Sequence, residues 1–178
     1  MKTLSKIILT TLALVVLSNQ CKAQKMEKPI TDKFTGSTSI STTLERIYAT
    51  ASPVTTGVNV AVKKIDDNYI LAVNIVIVNG ESFYSIDKDN MLSLKLADNT
   101  VLNLADAVAT TSVEKLMGYN RRSESIIFYT LSKDDMTKLM TSNVTAVRVA
   151  TSKGDFDYDI ASKYADLIKK EIALFSIN

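Results

Sequence analysis

Asp155, Asp157 and Asp159 alternate with Phe156, Tyr158 and Ile160. A strand over this segment therefore projects three carboxylates from one face and three apolar side chains from the other. Oxygen-bearing side chains at that spacing could share a hard cation such as calcium, and Asp166 lies eleven residues beyond Asp155. The match to a calcium-binding helix-loop-helix fails at the sixth loop position, where glycine is needed for the sharp turn and Ile160 stands instead; no helix is expected before Asp155. A solvated strand face is the expected role of the three acids, with Asp159 also capping the helix that follows.

The other charged clusters have ordinary explanations. Asp134 and Asp135 are neighbours on an expected helix and so point in different directions, which rules them out as a facing acid/base pair; negative charge at a helix start is favourable in itself. Arg121-Arg122, flanked by Tyr119 and Asn120, could grip a phosphate or carboxylate, but no Gly-rich loop or second basic cluster accompanies it, and an exposed loop is expected. Lys63-Lys64 reads as a solvated hairpin arm, and the sequon Asn143-Val144-Thr145 as a chance match.

The chain has no histidine and one cysteine, Cys21. That removes Ser-His-Asp and Cys-His nucleophile systems and His-rich metal sites, together with the side chain best suited to proton transfer near neutral pH. Carboxylate pairs, Ser-Lys dyads and oxygen-ligated cations remain open. No residue is assigned to catalysis or to a cofactor, and no cofactor is implied.

The first residues explain where Cys21 belongs. Lys2 and Lys6 precede an apolar-to-small run from Ile7 to Leu17, followed by Ser18, Asn19 and Gln20. The run has the length of a signal-peptide core and is too short to span a bilayer. With Cys21 at minus three and Ala23 at minus one, residues 1–23 form the expected signal peptide and Gln24 the mature N-terminus. A lipid anchor on Cys21 is the competing reading, disfavoured by Asn19 and Gln20, which are larger and more polar than a lipoprotein site carries. Removing the signal takes Lys2, Lys6 and Lys22 from the 21 basic residues and leaves 18 against 19 acids, so bulk charge does not direct the mature domain to nucleic acid. No transmembrane span is expected in the mature chain, and no disulfide can form within it.

Behind the signal, residues 24–34 are polar, contain Pro29 and read as a flexible tether; residues 35–178 suit a single globular domain. The Ser/Thr-rich stretch from Thr35 to Gly57 favours extended structure, although Leu44 to Tyr48 could form one helical turn. Alternating valines from Val58 lead through Asp66-Asp67-Asn68 into Tyr69–Val78, a hairpin whose second arm is apolar on both faces and so belongs in the middle of a covered sheet. Asn79-Gly80 should turn the chain tightly into a strand with Tyr84 and Ile86. In Leu92–Leu104, an odd loop centred on Asn99 sets Leu96 opposite Leu102 and Leu94 opposite Leu104, collecting all five leucines on one face. The stretch from Ala105 to Ser123 reads as looser, and Ser125–Leu131 as a strand. Ser132 and Asp135 bracket the start of a short helix with Met136, Leu139 and Met140 on one face. Val144–Ala150 and the aspartate segment are strands, and Tyr164, Leu167, Ile168, Ile172 and Phe175 mark a terminal amphipathic helix over about residues 161–176.

The export signal, the pairing of Leu94-Lys95-Leu96-Ala97-Asp98-Asn99 with Val101-Leu102-Asn103-Leu104, and Tyr129-Thr130-Leu131-Ser132 running into Val144–Ala150 together resemble exported proteins of gut-type Gram-negative bacteria. The resemblance covers most of the mature chain and implies a compartment, periplasm or cell surface, without an activity.

The expected fold is α+β: a mainly antiparallel sheet of about six to eight strands, one short helix, and the terminal helix packed on the sheet. The expected function is a non-enzymatic cell-envelope module that binds a protein, peptide or glycan through sheet edges or loops. A carboxylate-only, glycoside-cleaving hydrolase and a structural or assembly component of the envelope are the rivals.

Overall fold

The computed structural model describes residues 25–50, 55–79, 84–87, 89–105, 110–117 and 119–175. The signal expected over residues 1–23, Cys21 included, lies outside the described residues. So do Gln24 and Gly80.

In chain order the strands are β1 (Ile30–Thr31), β2 (Thr38–Ser41), β3 (Glu45–Ala49), β4 (Thr55–Ile65), β5 (Asn68–Val78), β6 (Ser85–Ile86), β7 (Leu92–Leu96), β8 (Val101–Leu104), β9 (Thr110–Thr111), β10 (Val113–Met117) and β11 (Asn120–Leu131). Helix α1 (Lys133–Thr141), β12 (Val144–Thr151), β13 (Gly154–Asp159), a 3-10 turn Ser162–Tyr164 and helix α2 (Leu167–Phe175) follow. The α+β, mainly antiparallel character holds, but the strands form more than one sheet. A seven-stranded sheet runs β1-β2-β4-β5-β11-β10, with β3 also on β4; a four-stranded sheet runs β13-β12-β7-β8; β6 and β9 make a two-residue pair. Every named pairing is antiparallel, and α1 carries the chain from the large sheet to the small one, so β11 and β12 are not partners.

The inner faces of both sheets enter one core. Val58, Val60 and Val62 of β4, Leu71, Val73 and Ile75 of β5, and Ile127 and Tyr129 of β11 are all 2% exposed or less and cluster with the leucines of β7 and β8. Aromatic rings bridge the layers: Tyr48 of β3 lies 5.0 Å from Tyr158 of β13, and Tyr84 stands edge-on to Phe156 at 5.3 Å. At one end Tyr84 and Ser85 stitch both sides, since Tyr84 O accepts from Ser112 N and Ser85 O from Ser152 N.

The expected β4–β5 hairpin forms, with Ile65 opposite Asn68 and Asp66 at φ 51. β5 sits mid-sheet as its composition requires, but its second face is not covered as a core. Ile70, Val76 and Val78 are half-buried there, and Asn74 at its centre is buried by hydrogen bonding instead of by a packed layer. Asn79 takes a positive φ of 60, yet β5 continues into no hairpin with β6; its second partner is β11 and that of β6 is β9.

The leucine hairpin corrects the expected register. All five leucines are buried on one face, but Leu92 pairs with Leu104 and Leu94 with Leu102, two residues from the anticipated alignment. A shift of two preserves the face each side chain occupies, so burial alone could not choose between them. The three-residue loop Ala97-Asp98-Asn99 decides: Asn99 tolerates φ 67, the Asp98 carboxylate accepts from Thr100 N at 2.9 Å, and Leu96 N donates to Thr100 O at 2.8 Å. The expected register also leaves a three-residue loop, Asp98-Asn99-Thr100, but it sets Asn99 in the middle and loses the Leu96–Thr100 closure.

The tether is also corrected. From Lys25 onward the chain is bound: Thr43 N donates to Lys25 O, Met26 bridges Thr42, Glu27 N donates to Ser41 O at 2.7 Å, and β1 pairs with β2. Lack of apolar side chains forecast mobility, but an edge strand is held by its backbone groups and needs no buried side chain. Glu45–Ala49 is strand, without a helical turn, and β9 and β10 form within the stretch expected to be loose. Helix α1 follows expectation, with the reciprocal capping box of Ser132 and Asp135 and Leu139 buried.

Candidate functional site

β13 begins at Gly154, whose φ of 99 suits the glycine at the turn from β12, and places Asp155, Asp157 and Asp159 on the outer face of the four-stranded sheet. The inner face of the same strand buries Tyr158. Two rows cross the outer face. In one, Asp157, Arg148, Ser93 and Asn103 stand side by side on β13, β12, β7 and β8; in the other, Asp159, Ala146, Lys95 and Val101 do. Between them lies an open groove of about 290 Å³, with Ala146 as its floor. A bulge at Thr145, where the β12–β7 register shifts, adjoins this floor, and Thr145 Oγ1 donates to Lys95 O at 3.1 Å.

The first row satisfies itself. Arg148 donates from Nε and one terminal nitrogen to the two oxygens of Asp157, both at 2.6 Å, and its other terminal nitrogen lies 3.5 Å from Asp155. This fork holds the Asp157 carboxyl below the usual carboxylate range through hydrogen bonding and charge. Ser93 Oγ donates to Asn103 at 2.7 Å. The second row is open: among the described residues neither Lys95 nor Asp159 forms an ion pair.

The three aspartates thus share a face without forming a cation cage. Arg148 occupies the oxygens of Asp157 and reaches Asp155, and among the described residues no group of three or more His, Cys, Asp or Glu is placed to hold a metal. Asp159 caps no helix start: the 3-10 turn Ser162–Tyr164 that follows it has Ala161 at its N-cap, with no side-chain hydrogen bond, and α2 begins only at Leu167. Asp166, eleven residues beyond Asp155, pairs with Lys170 at 2.8 Å. Arg121 and Arg122 lie in β11 instead of a loop. Arg121 stands 3.6 Å from Glu114 and Arg122 3.1 Å from Glu124.

Two polar features had no place in the sequence reading. On the outer face of the large sheet, Asn59 donates to Asn74 at 2.8 Å, Asn74 to Glu124 at 3.1 Å, and Arg122 to Glu124, which ties β4, β5 and β11 together with polar side chains. Under helix α2, Glu171 is fully buried. Its carboxyl faces the Thr42 hydroxyl and the Val62 amide, but neither carboxyl oxygen makes a hydrogen bond; Val62 N donates to Thr42 Oγ1 at 2.9 Å. Loss of water pushes this carboxyl up to about 9, with the nearby Glu45 charge adding to the rise, so it is neutral at pH 7. The signal was present: Glu171 falls between Ile168 and Ile172 on the apolar stripe of the helix.

Burial likewise raises the phenols of Tyr84, Tyr129 and Tyr158. Tyr129 reaches about 12 with its hydroxyl unpartnered, whereas Tyr84 is hydrogen-bonded to Ser125 at 2.6 Å. Tyr84 and Tyr129 are core groups outside the groove lining, whereas Tyr158 is buried in the strand that forms one side of the groove. Among the described residues no helix is long and apolar enough to cross a membrane. Comparison with protein-family models, curated proteins and solved structures finds no match.

Proposed function

We propose that the chain is an exported cell-envelope module that binds a protein, peptide or glycan in the groove over Ala146 and does not catalyse a reaction. Its export rests on the signal expected over residues 1–23. The observation that carries the binding reading is the groove itself, open and walled by charged side chains on a sheet face. Against the carboxylate-only hydrolase stands the setting of two of its acids. A glycoside-cleaving pair needs one carboxyl able to donate a proton. Asp157 is held ionised by Arg148, while Glu171, whose carboxyl is raised, is sealed from substrate.

The full chain, expressed with its own N-terminus and recovered from the exported fraction, tests this by isotope-edited NMR against short peptides and oligosaccharides. Shifts centred on Ala146, Lys95 and Ser93 are expected. Hydrolysis of a glycoside or peptide by the purified protein, or shifts confined to the large sheet, would overturn it.

A further inference from the structure

We propose that the groove recognises a zwitterion: a ligand that sets a cation against Asp159 and an anion against Lys95. The inference rests on the groove being the binding site and adds the chemistry of what it takes.

The two rows across the sheet make the argument. They differ by one step of the strand repeat, and in the first the acid on β13 is answered from β12: Arg148 closes on Asp157 with two 2.6 Å hydrogen bonds. In the second the same β12 position is Ala146, directly in register with Asp159 on one side and Lys95 on the other. A methyl group can neither neutralise Asp159 nor fill the space an arginine takes, so the row keeps a carboxylate, an apolar floor and an ammonium in sequence. The groove lies over that floor.

Geometry sets the ligand's size. Neighbouring strands are about 4.8 Å apart, so the backbones carrying Asp159 and Lys95 are separated by roughly 10 Å, part of which their own side chains span. The charges of an extended dipeptide, or of neighbouring basic and acidic side chains in a peptide, suit the remaining gap. A ligand cation would do for Asp159 what Arg148 does for Asp157, and a ligand anion would meet Lys95 from above Ala146. Val101, exposed beyond Lys95 in the same row, offers apolar contact to the anionic end. A free dipeptide and an internal peptide segment share this chemistry.

The test is a calorimetric and NMR titration of the exported protein with four probes: alanyl-alanine, its N-acetylated form, its C-terminal amide, and a peptide blocked at both ends containing one lysine and one glutamate. Alanyl-alanine should bind about ten-fold more tightly than either singly blocked form, the worth of roughly one charge contact. Binding of the free dipeptide alone identifies a free-terminus ligand, and binding of the doubly blocked peptide identifies a peptide segment; either supports the proposal. Lys95→Met and Asp159→Asn, both exposed and without ion pairs among the described residues, should each weaken binding about ten-fold, and the exchange Lys95→Asp with Asp159→Lys should restore it. Singly charged probes binding as well as the zwitterion, or both single variants binding unchanged, would overturn the proposal while leaving the groove as a binding surface. If no probe, peptide or oligosaccharide moves the Ala146 resonance, the groove reading fails as well.

Discussion

Carboxylates occupy two opposite settings in this protein. On the outer face of the small sheet Asp157 is exposed and gripped by Arg148, and its carboxyl is held low. Beneath helix α2 Glu171 is fully buried without a hydrogen-bond partner, and its carboxyl is driven up to about 9. The chemical group is nearly the same, and its surroundings reverse its behaviour. Where water and a guanidinium are at hand the charge is kept; where neither is, the proton is kept. The exposed face can therefore present charge to a ligand, whereas the buried acid acts on stability alone.

The largest test of this contrast is the pH dependence of unfolding. The folded carboxyl of Glu171 lies near 9 and the unfolded one near its model value of 4.5. Glu171 therefore imposes no penalty below that lower value, and stability is progressively lost as pH rises from it towards 9. The slope from this one group is about 1.4 kcal/mol per pH unit within that window. Glu171→Gln keeps the shape and abolishes the titration. Urea unfolding at pH 5 and pH 8 should give similar stabilities for the two proteins at the lower pH and a variant more stable by several kcal/mol at the higher. Parallel pH profiles would show that Glu171 is hydrated or paired in solution.

Packing on the same helix gives the next largest effect. Ile172 adjoins Glu171 in sequence, is 1% exposed and belongs to the core cluster. Ile172→Ala should cost about 2–4 kcal/mol from lost burial and the cavity left behind. Unlike Glu171→Gln, the loss should be equal at pH 5 and pH 8. A cost that grew with pH would mean that the cavity admits water to the carboxyl and couples the two residues.

The contrast also marks how far the sequence could be read. Strand existence was legible wherever apolar and polar residues alternate, as in Val58–Val62 and Phe156–Tyr158, because period two has few other meanings. The capping box at Ser132 was legible for the same reason, since reciprocal capping needs only four residues in a row. Register was less accessible: a two-residue slip in the leucine hairpin leaves every leucine on its face, and the turn conformation at Asn99 breaks the tie. Division into two sheets depends on long-range pairing that periodicity does not encode, and the ordering of Lys25–Thr31 depends on backbone bonds to which composition is blind. At the candidate site the three aspartates were visible, but their partner was not. Arg148 lies nine residues before Asp157 and meets it only because the β12–β13 hairpin sets them in register.

Arg148 also supplies the smallest test and the one closest to the site. Arg148→Gln removes the guanidinium from Asp157 and Asp155, but both acids are half or more exposed, with side chains at 57% and 50%. Water replaces most of what is lost, and the variant should unfold at nearly the same urea concentration as the wild type. The more sensitive readout is the Asp157 carboxyl, which should return upward towards an ordinary aspartate value when followed by carbon-detected NMR between pH 2 and 6. The sign of its stability effect is opposite to that of Glu171. A carboxyl lowered on folding contributes above its unfolded value and loses that contribution as pH falls through its folded one, so any difference between wild type and variant should fade in acid. An unmoved Asp157 titration would mean that the fork in the first row is not kept in solution, and the difference between a satisfied row and an open one would disappear with it.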